Sequence, residues 1–374
     1  VDALTERMRA FIGAHVVPAE KSLMAGDAAA LRRAQERARA AGLWGLPLPV
    51  ALGGQGMALA DYADVAIVEG HSDAGPAVCG SDLLLDTTML DRYGSPAIRE
   101  RYVRAMVAGD ASPSFAMTEP GQAGSDPSGL TTTAVRDGDA YVLTGRKWFT
   151  SRATHAAFTT VACRTEDGGI SLIVVPAGAG GLRIVREVPV LGAGGQYELA
   201  LDGVRVGAEQ LLGAPGEGLA IAGERLALGR TLRCLRWLGQ ARRAFDLMVA
   251  RMRGRVVRGR PLADRELLHQ YVFDSHAELA AAEALTRAAV AALTEGTGVK
   301  NAVATAKVVT ARAYGTVVDR AIQVYGAEGL TDDTPLAMLH RGARAARILD
   351  GPDESHISAV ARRLLTSPAA AVPS

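Results

Sequence analysis

Apolar residues recur along this chain with two different periods, and the changes of period divide it into three parts. In the first part Leu4, Met8, Phe11, Ile12 and Val16 fall at helical spacing and form one apolar face. Pro18 ends or kinks that helix, because it has no amide hydrogen to donate. A second helix is predicted from Ala28 to Ala41, with Gly42 as its C-cap. The run ALADYADVAIVEG restarts the helical period, and YGSPAIRERYVRAMVAGDAS gives one more helix ending at Gly109. From about residue 111 to 215 the period shortens to two. AFTTVAC, ISLIVVP, LRIVREVPV and YELALDGVRV are short alternating or wholly apolar runs between Gly- and Asp-rich turns, the pattern of a β-barrel or sandwich. Asp137-Gly138 lies between two further alternating runs and predicts a tight hairpin turn, since both residues tolerate positive φ. From about residue 216 the long period returns. ERLALGRTLRCLRWLGQARRAFDLMVARM, ADRELLHQYVFDSHAELAAAEALTRAAVAALTEG, NAVATAKVVTARAYGTVVDRAIQVYG and DESHISAVARRLL read as the helices of an up-down four-helix bundle. The chain is therefore α+β, with expected domains at 1–110 (all helical), 111–215 (all β) and 216–374 (helix bundle).

Length and composition agree with several domains. A chain of 374 residues is too long for one ordinary core, and 48% hydrophobic with 22% charged residues supports a large buried interior. Its 41 basic and 40 acidic residues leave a net charge of +1, which offers no field for nucleic acid or an anionic membrane. Aromatics at 5% also argue against a base-stacking surface. Cys79, Cys163 and Cys234 are scattered, without CxxC spacing, and predict reduced thiols in a cytoplasmic protein. Neither a membrane-spanning apolar run nor a signal-peptide pattern is expected here.

Several motifs are weak when weighed by mechanism. Gly53-Gly54-Gln55-Gly56 lacks the Lys-Ser/Thr that completes a phosphate loop and reads as a turn between helices. Gly192-Ala193-Gly194-Gly195 follows a strand, but Tyr197 stands where a dinucleotide fingerprint needs glycine, and no helix follows. His269 and His276 share a helix without a third ligand nearby, so no metal site is expected. Arg251, Arg253, Arg255, Arg258 and Arg260 crowd one helix end, as either a solvated basic face or a pyrophosphate clamp.

The chemistry concentrates in two stretches. Phe115 to Ser151 reads FAMTEPGQAGSDPSGLTTTAVRDGDAYVLTGRKWFTS: a strand, a long polar loop, then a hairpin closed by Trp148-Phe149-Thr150. Loop amides, small hydroxyls and a large aromatic suit a planar polar ring, while the edge of a β-domain with a buried Trp has the same spacing. MTEPxxGSD followed by KWxT resembles the middle domain of the acyl-CoA dehydrogenase family of flavoproteins, and the resemblance extends over nearly the whole chain. It implies a helical N-terminal domain, a middle β-barrel and a C-terminal four-helix bundle. It also implies FAD held by Met117, Thr118, Trp148, Phe149 and Thr150, with Ser125 meeting the acyl-carrier portion. One departure stands in this domain: glycine replaces an Arg often found after the family's LG pair. RVVRGRPL resembles the family's RxxFG element, which implies that Arg255 contacts FAD pyrophosphate across a subunit boundary; Arg258 replaces the usual Phe. Gln323 and Gly326 match the QVxGG element that approaches a neighbouring subunit's FAD, with Ala327 at the second glycine.

The second stretch runs from Ile322 to His356. Where the family carries its glutamate base, this chain has Asp350 in DGPDESH, a carboxylate withdrawn by one methylene, or roughly 1.5 Å of reach. DGPDE occurs naturally in a sub-branch of the family, so the shorter acid is compatible with activity. The alternative base position on the first bundle helix is Gly229, and the neighbouring Arg230 matches an arginine of the thioester cleft. The resemblance implies FAD-dependent α,β-dehydrogenation of an acyl thioester, carried by CoA or an acyl-carrier protein. In it Asp350 removes the α-proton, the β-hydrogen leaves as hydride to flavin N5, and the Glu354 amide helps hold the thioester carbonyl. Asp353 and Glu354 also fit as plain helix N-terminal acids favoured by the macrodipole. Electron-transferring flavoprotein as acceptor and a homotetramer or homodimer are implied in the same way. A flavin oxygenase or oxidase on the same scaffold, and a catalytically idle binding relative, are the competing readings.

Overall fold

In the computed structural model, which describes residues 2–166, 168–192 and 194–366, the N-terminal part is helical. Ala193 of the glycine-rich run and residues 367–374 of the expected third domain lie outside the described residues. The helices are α1 (Asp2–Phe11), α2 (Glu20–Met24), α3 (Ala28–Ala40), α4 (Leu59–Glu69), α5 (Gly75–Cys79), α6 (Leu84–Tyr93), α7 (Pro96–Ile98) and α8 (Arg104–Ala108). The first apolar face continues past α1 into a π-helical turn at Ile12–Val16, and Pro18 then starts a 3₁₀ turn at Val17–Ala19. Asp27 caps α3 by accepting from the amides of Ala29 and Ala30, each at 2.9 Å.

The chain packs as two compact units, residues 1–229 and 230–374. Besides the helices, the first unit holds one eight-stranded sheet. Its strands are β1 (Pro113–Ala116), β2 (Thr133–Asp137), β3 (Ala140–Ser151), β4 (Phe158–Arg164), β5 (Ile170–Pro176), β6 (Leu182–Glu187), β7 (Gln196–Gly207) and β8 (Leu211–Leu212). They pair in the order β6-β7-β3-β2-β4-β5-β8, with β1 parallel to β4. That path has two ends, so the expected barrel appears as a sheet without a closing pair among the described residues.

The strands β4 and β5 show why AFTTVAC and ISLIVVP do not alternate cleanly. Phe158, Ala162, Leu172 and Val174 pack on Leu90, Ile98, Tyr102 and Met106 of the helices. Val161, Cys163, Ile173 and Val175 pack on Tyr141, Leu143, Leu199 and Val204 on the opposite face. Both sides are covered, so both sets of positions are apolar. The β2–β3 turn falls one residue later than the dipeptide signal places it. Asp137 pairs with Ala140, and the two loop residues are Gly138, at φ +64°, and Asp139.

The helix α9 (Gly218–Gly254) supplies its first residues to the first unit and the rest to the second. The second unit continues with α10 (Glu266–Glu295), α11 (Val299–Tyr325), α12 (Leu336–Ala346) and α13 (Asp353–Thr366). A fifth helix, α12, thus lies within the stretch that drew attention for its motif rather than its period. The central helix is α11, packed against α10, α12 and α13, with Val303, Ala306, Tyr314, Val317 and Ala321 buried along it. Arg242 of α9 pairs with Glu283 of α10. Between those helices, Val256–Val257 and Arg260–Pro261 form a short antiparallel pair. No described helix is long and apolar enough to cross a membrane.

Candidate functional site

In the first unit, the two motif segments are tied together by a buried ion pair. Lys147 occupies the inward parity of β3, in step with Tyr141 and Leu143, and is fully buried. Its Nζ donates to Glu119 Oε1 at 2.7 Å and to the Met117 carbonyl at 3.0 Å. Glu119, equally buried, also accepts from the Thr131 amide and hydroxyl, both at 2.7 Å, and from the Thr132 amide at 2.9 Å. The Trp148 amide closes the arrangement by donating to the Thr118 carbonyl at 3.0 Å. Burial pushes the Glu119 carboxyl up, but the hydrogen bonds from Lys147, Thr132 and Thr131 outweigh it and hold it at about 2. Burial pulls Lys147 down, opposed by Glu119, and pushes the nearby Cys163 thiol up to about 12.

Beyond Lys147 the strand is irregular. The β3–β7 register shifts between Lys147 and Thr150, and Phe149 sits at φ +51°, a left-handed conformation that bulky residues rarely adopt. The Trp148 and Phe149 rings lie 4.5 Å apart between centroids, and Phe149 is exposed. Trp148 Nε1 and Thr150 Oγ1 are buried without a hydrogen-bond partner. The two unpartnered polar groups flank the one residue of this segment in a left-handed conformation. Met117, Thr118, Trp148, Phe149 and Thr150 are thus brought together. Ser125 is exposed in the loop between Thr118 and Trp148.

In the second unit, the turn between α12 and α13 carries Asp350. It adopts φ +58° and is followed by Gly351 at φ +99°, where a Cβ would lie 2.8 Å from His356 Nε2. The Asp350 carbonyl accepts from Arg230 Nε at 2.8 Å and meets His356 Nε2 at 3.1 Å. Burial holds the His356 imidazole below its usual range, so the neutral ring donates to that carbonyl. Burial also lowers the Arg230 guanidinium, against the opposing pull of Asp350. The carboxylate is treated differently from the backbone. Oδ2 lies 3.2 Å from Arg233 Nε, within ion-pair range, yet it is buried with no hydrogen-bond partner. The side chain remains 24% exposed.

A second buried charge cluster secures the same turn from behind. Asp353, the first residue of α13, is fully buried. It accepts from Lys307 Nζ at 3.2 Å, Arg312 Nε at 3.3 Å and Arg347 Nε at 3.1 Å. Burial pushes its carboxyl up, and these three cations overcome that and lower it. Glu354, next in sequence, is exposed on the first turn of α13. At the other end of the unit, Arg251 reaches the Tyr325 carbonyl at 3.5 Å and Glu328 at 2.7 Å. That contact draws together the ends of α9 and α11, near Arg255, Gln323 and Gly326, all exposed.

Motif matching missed Glu119, Lys147, Arg233, Lys307, Asp353 and His356 as members of these networks. Two signals existed: a lysine at an inward strand position, and Arg233 one helical turn beyond Arg230.

Known proteins resemble the chain throughout. Family models match residues 1–110, 114–204 and 216–365, described as the N-terminal, middle and C-terminal domains of acyl-CoA dehydrogenase. The Mycobacterium tuberculosis protein named "Probable acyl-CoA dehydrogenase FadE2" is 38% identical over 345 residues, covering 88% of this chain and 84% of that one. Acyl-CoA dehydrogenase family member 11 of Homo sapiens is 32% identical over 384 residues, 95% of this chain and 49% of that protein. The chain therefore spans about half the length of that relative. The structure of butyryl-CoA dehydrogenase from Megasphaera elsdenii superposes with a TM-score of 0.88 at 25% identity, covering 97% of each chain.

Proposed function

This chain belongs to the acyl-CoA dehydrogenase family, and from that premise we propose that it is an oxidoreductase acting on CH–CH bonds, removing the α and β hydrogens of an acyl thioester. The thioester handle is CoA or a carrier-protein phosphopantetheine. The observation that carries the reading is the treatment of Asp350: its backbone is clamped by Arg230 and His356, while carboxylate Oδ2 is left without a hydrogen bond. A structural acid is expected to have its oxygens satisfied, as Asp353 and Glu119 do; a general base needs a lone pair to spare.

FAD is the cofactor proposed, and the residues present fit it. Trp148 Nε1 and Thr150 Oγ1 are donors without acceptors, beside an exposed aromatic. When bound, the flavin supplies the hydride acceptor of the reaction. Met117, Thr118, Trp148, Phe149 and Thr150 bind and orient its ring, and Ser125 meets the acyl carrier. Arg255, Gln323 and Gly326 serve the flavin of a neighbouring copy in a homodimer or homotetramer. The α-proton passes to an oxygen of Asp350. Arg233 Nε lies 3.2 Å from Oδ2, so it has to move aside for a proton to reach that oxygen. Arg230 keeps the turn in place and the Glu354 amide steadies the thioester carbonyl, so Glu354 acts through its backbone. An electron-transferring flavoprotein is the proposed acceptor of the electrons.

Anaerobic titration with a panel of acyl thioesters tests the reading through flavin bleaching. Asp350→Asn is expected to keep the yellow flavin and lose bleaching by a factor of roughly 10²–10⁴, the usual contribution of a general base. Unchanged bleaching in that variant removes Asp350 from the role.

A further inference from the structure

A groove of about 410 Å³ lies between α11 and α12, and neither Arg230 nor Asp350 is among its lining residues. Arg312, Gly315, Thr316, Asp319 and Arg320 of α11 face His340, Ala343, Arg344 and Arg347 of the helix and turn opposite. The spacing on each side is that of one helical face. Gly315 stands in the interior of a 27-residue helix, where glycine is less favourable than alanine. A Cβ there would meet nothing within 4 Å, so helix packing does not demand the glycine. Gly315 lines the groove, and a side chain there would project into open space.

The charges are unevenly spent. Arg320 gives both terminal nitrogens to Glu278, at 2.9 and 2.7 Å, and Asp274 lies 4.0 Å away, so that end is neutralised. Arg312 and Arg347 each give only Nε to Asp353 Oδ2, which Lys307 also helps to neutralise through Oδ1. Asp353 is fully buried and fixes both side chains by one edge, while their terminal nitrogens have no partner among the described residues. Arg344 and His340 likewise have none. Asp319 is the one acid in the lining. Three guanidinium groups, two of them oriented in advance, therefore converge on a space with too few carboxylates to serve them.

We propose that this groove is a binding site for a phosphoryl dianion, a diphosphate or a phosphate monoester, gripped by the terminal nitrogens of Arg312, Arg344 and Arg347. Guanidinium forks match phosphate oxygens two at a time, and holding the forks in place before binding lowers the entropic cost.

Isothermal titration of the purified full chain with sodium pyrophosphate, at constant ionic strength, tests the site. Saturable binding at one site per chain is expected. Arg344→Ala, which removes a side chain the fold does not use, is expected to weaken it roughly tenfold or more, the loss of a charge-assisted pair. Arg344→Lys, which keeps the charge and loses the fork, falls between. Absence of saturable heat overturns the site, and so does unchanged affinity in Arg344→Ala. Binding that Arg255→Ala abolishes and Arg344→Ala leaves intact overturns it too, since the anion then sits at the flavin clamp. Adenosine diphosphate run beside pyrophosphate identifies the ligand within the class: tighter binding of either supports the site and assigns an ester or an inorganic anion.

Discussion

Asp350 occupies a backbone position that few side chains accept. At φ +58°, followed by Gly351 at φ +99°, the turn demands two left-handed residues in succession. Aspartate is several-fold enriched in that region over longer side chains, because its short polar group can bond locally. The shorter acid is thus what this turn accommodates, whatever reach it gives up. Asp350→Glu is expected to restore the missing methylene at a stability cost of about 1 kcal/mol, the equivalent of a several-fold conformational preference. Urea unfolding followed by circular dichroism measures it; a variant as stable as the parent removes the backbone argument for aspartate. The position of the acid was legible from DGPDESH. Its geometry was not, because a positive φ at Asp350 depends on how His356 and Arg230 hold its carbonyl.

Two segments are fixed by buried charge, and each responds to pH in a predictable direction. Glu119 is held at about 2 in the folded chain against about 4.3 for a free glutamate, so its contribution is fully present above the free value. It is lost as pH falls from there through about 2. Glu119→Gln should flatten the acid limb of stability across that window. It should also destabilise at neutral pH by ~3–5 kcal/mol, because Lys147 is then buried without its counter-charge. A thermal-melting series from pH 2 to 7 on both proteins checks both parts, and parallel curves would exclude Glu119 as the tie between the motifs. His356 works in the same sense from a different charge type. Burial lowers its folded value, so the unfolded chain takes up the proton first as pH drops below about 6.5. The Asp350 turn should loosen as pH falls below about 6.5, and His356→Gln, which keeps a donor without the titration, should remove that part of the pH dependence in urea unfolding. The helices and most strands behind these segments were readable from their periods. The fifth helix was not, because Leu336–Ala346 lies inside a stretch dominated by Asp, Gly and Pro at its flanks. Lys147 and Glu119 escaped for a related reason: period-two reading looks for apolar residues at inward positions, and a buried pair violates that rule while satisfying its physics.

At the scale of the molecule, the residues proposed to bind flavin are of two kinds. Trp148, Phe149 and Thr150 come from β3 of the first unit, with Met117 and Thr118 just after β1, and Trp148 and Thr150 carry polar atoms without partners. Arg255, Gln323 and Gly326 come from one end of the second unit, are exposed, and have no evident task within a single chain. An arginine serves its own fold through a carboxylate or a carbonyl, as Arg251 does four residues earlier. Arg255 has no such bond among the described residues, so its removal should leave the fold untouched. Arg255→Ala is expected to melt like the flavin-free parent, since only the bound cofactor's stabilisation is lost, and to lose visible absorption on gel filtration. If the guanidinium reaches the cofactor of another copy, the parent should behave the same way once diluted far enough to dissociate. Flavin fluorescence, quenched when bound, would then rise on dilution in the parent and stand high at every concentration in the variant. A parent that keeps its flavin as a monomer, or a variant that keeps it at all, would leave the clamp within one chain or nowhere.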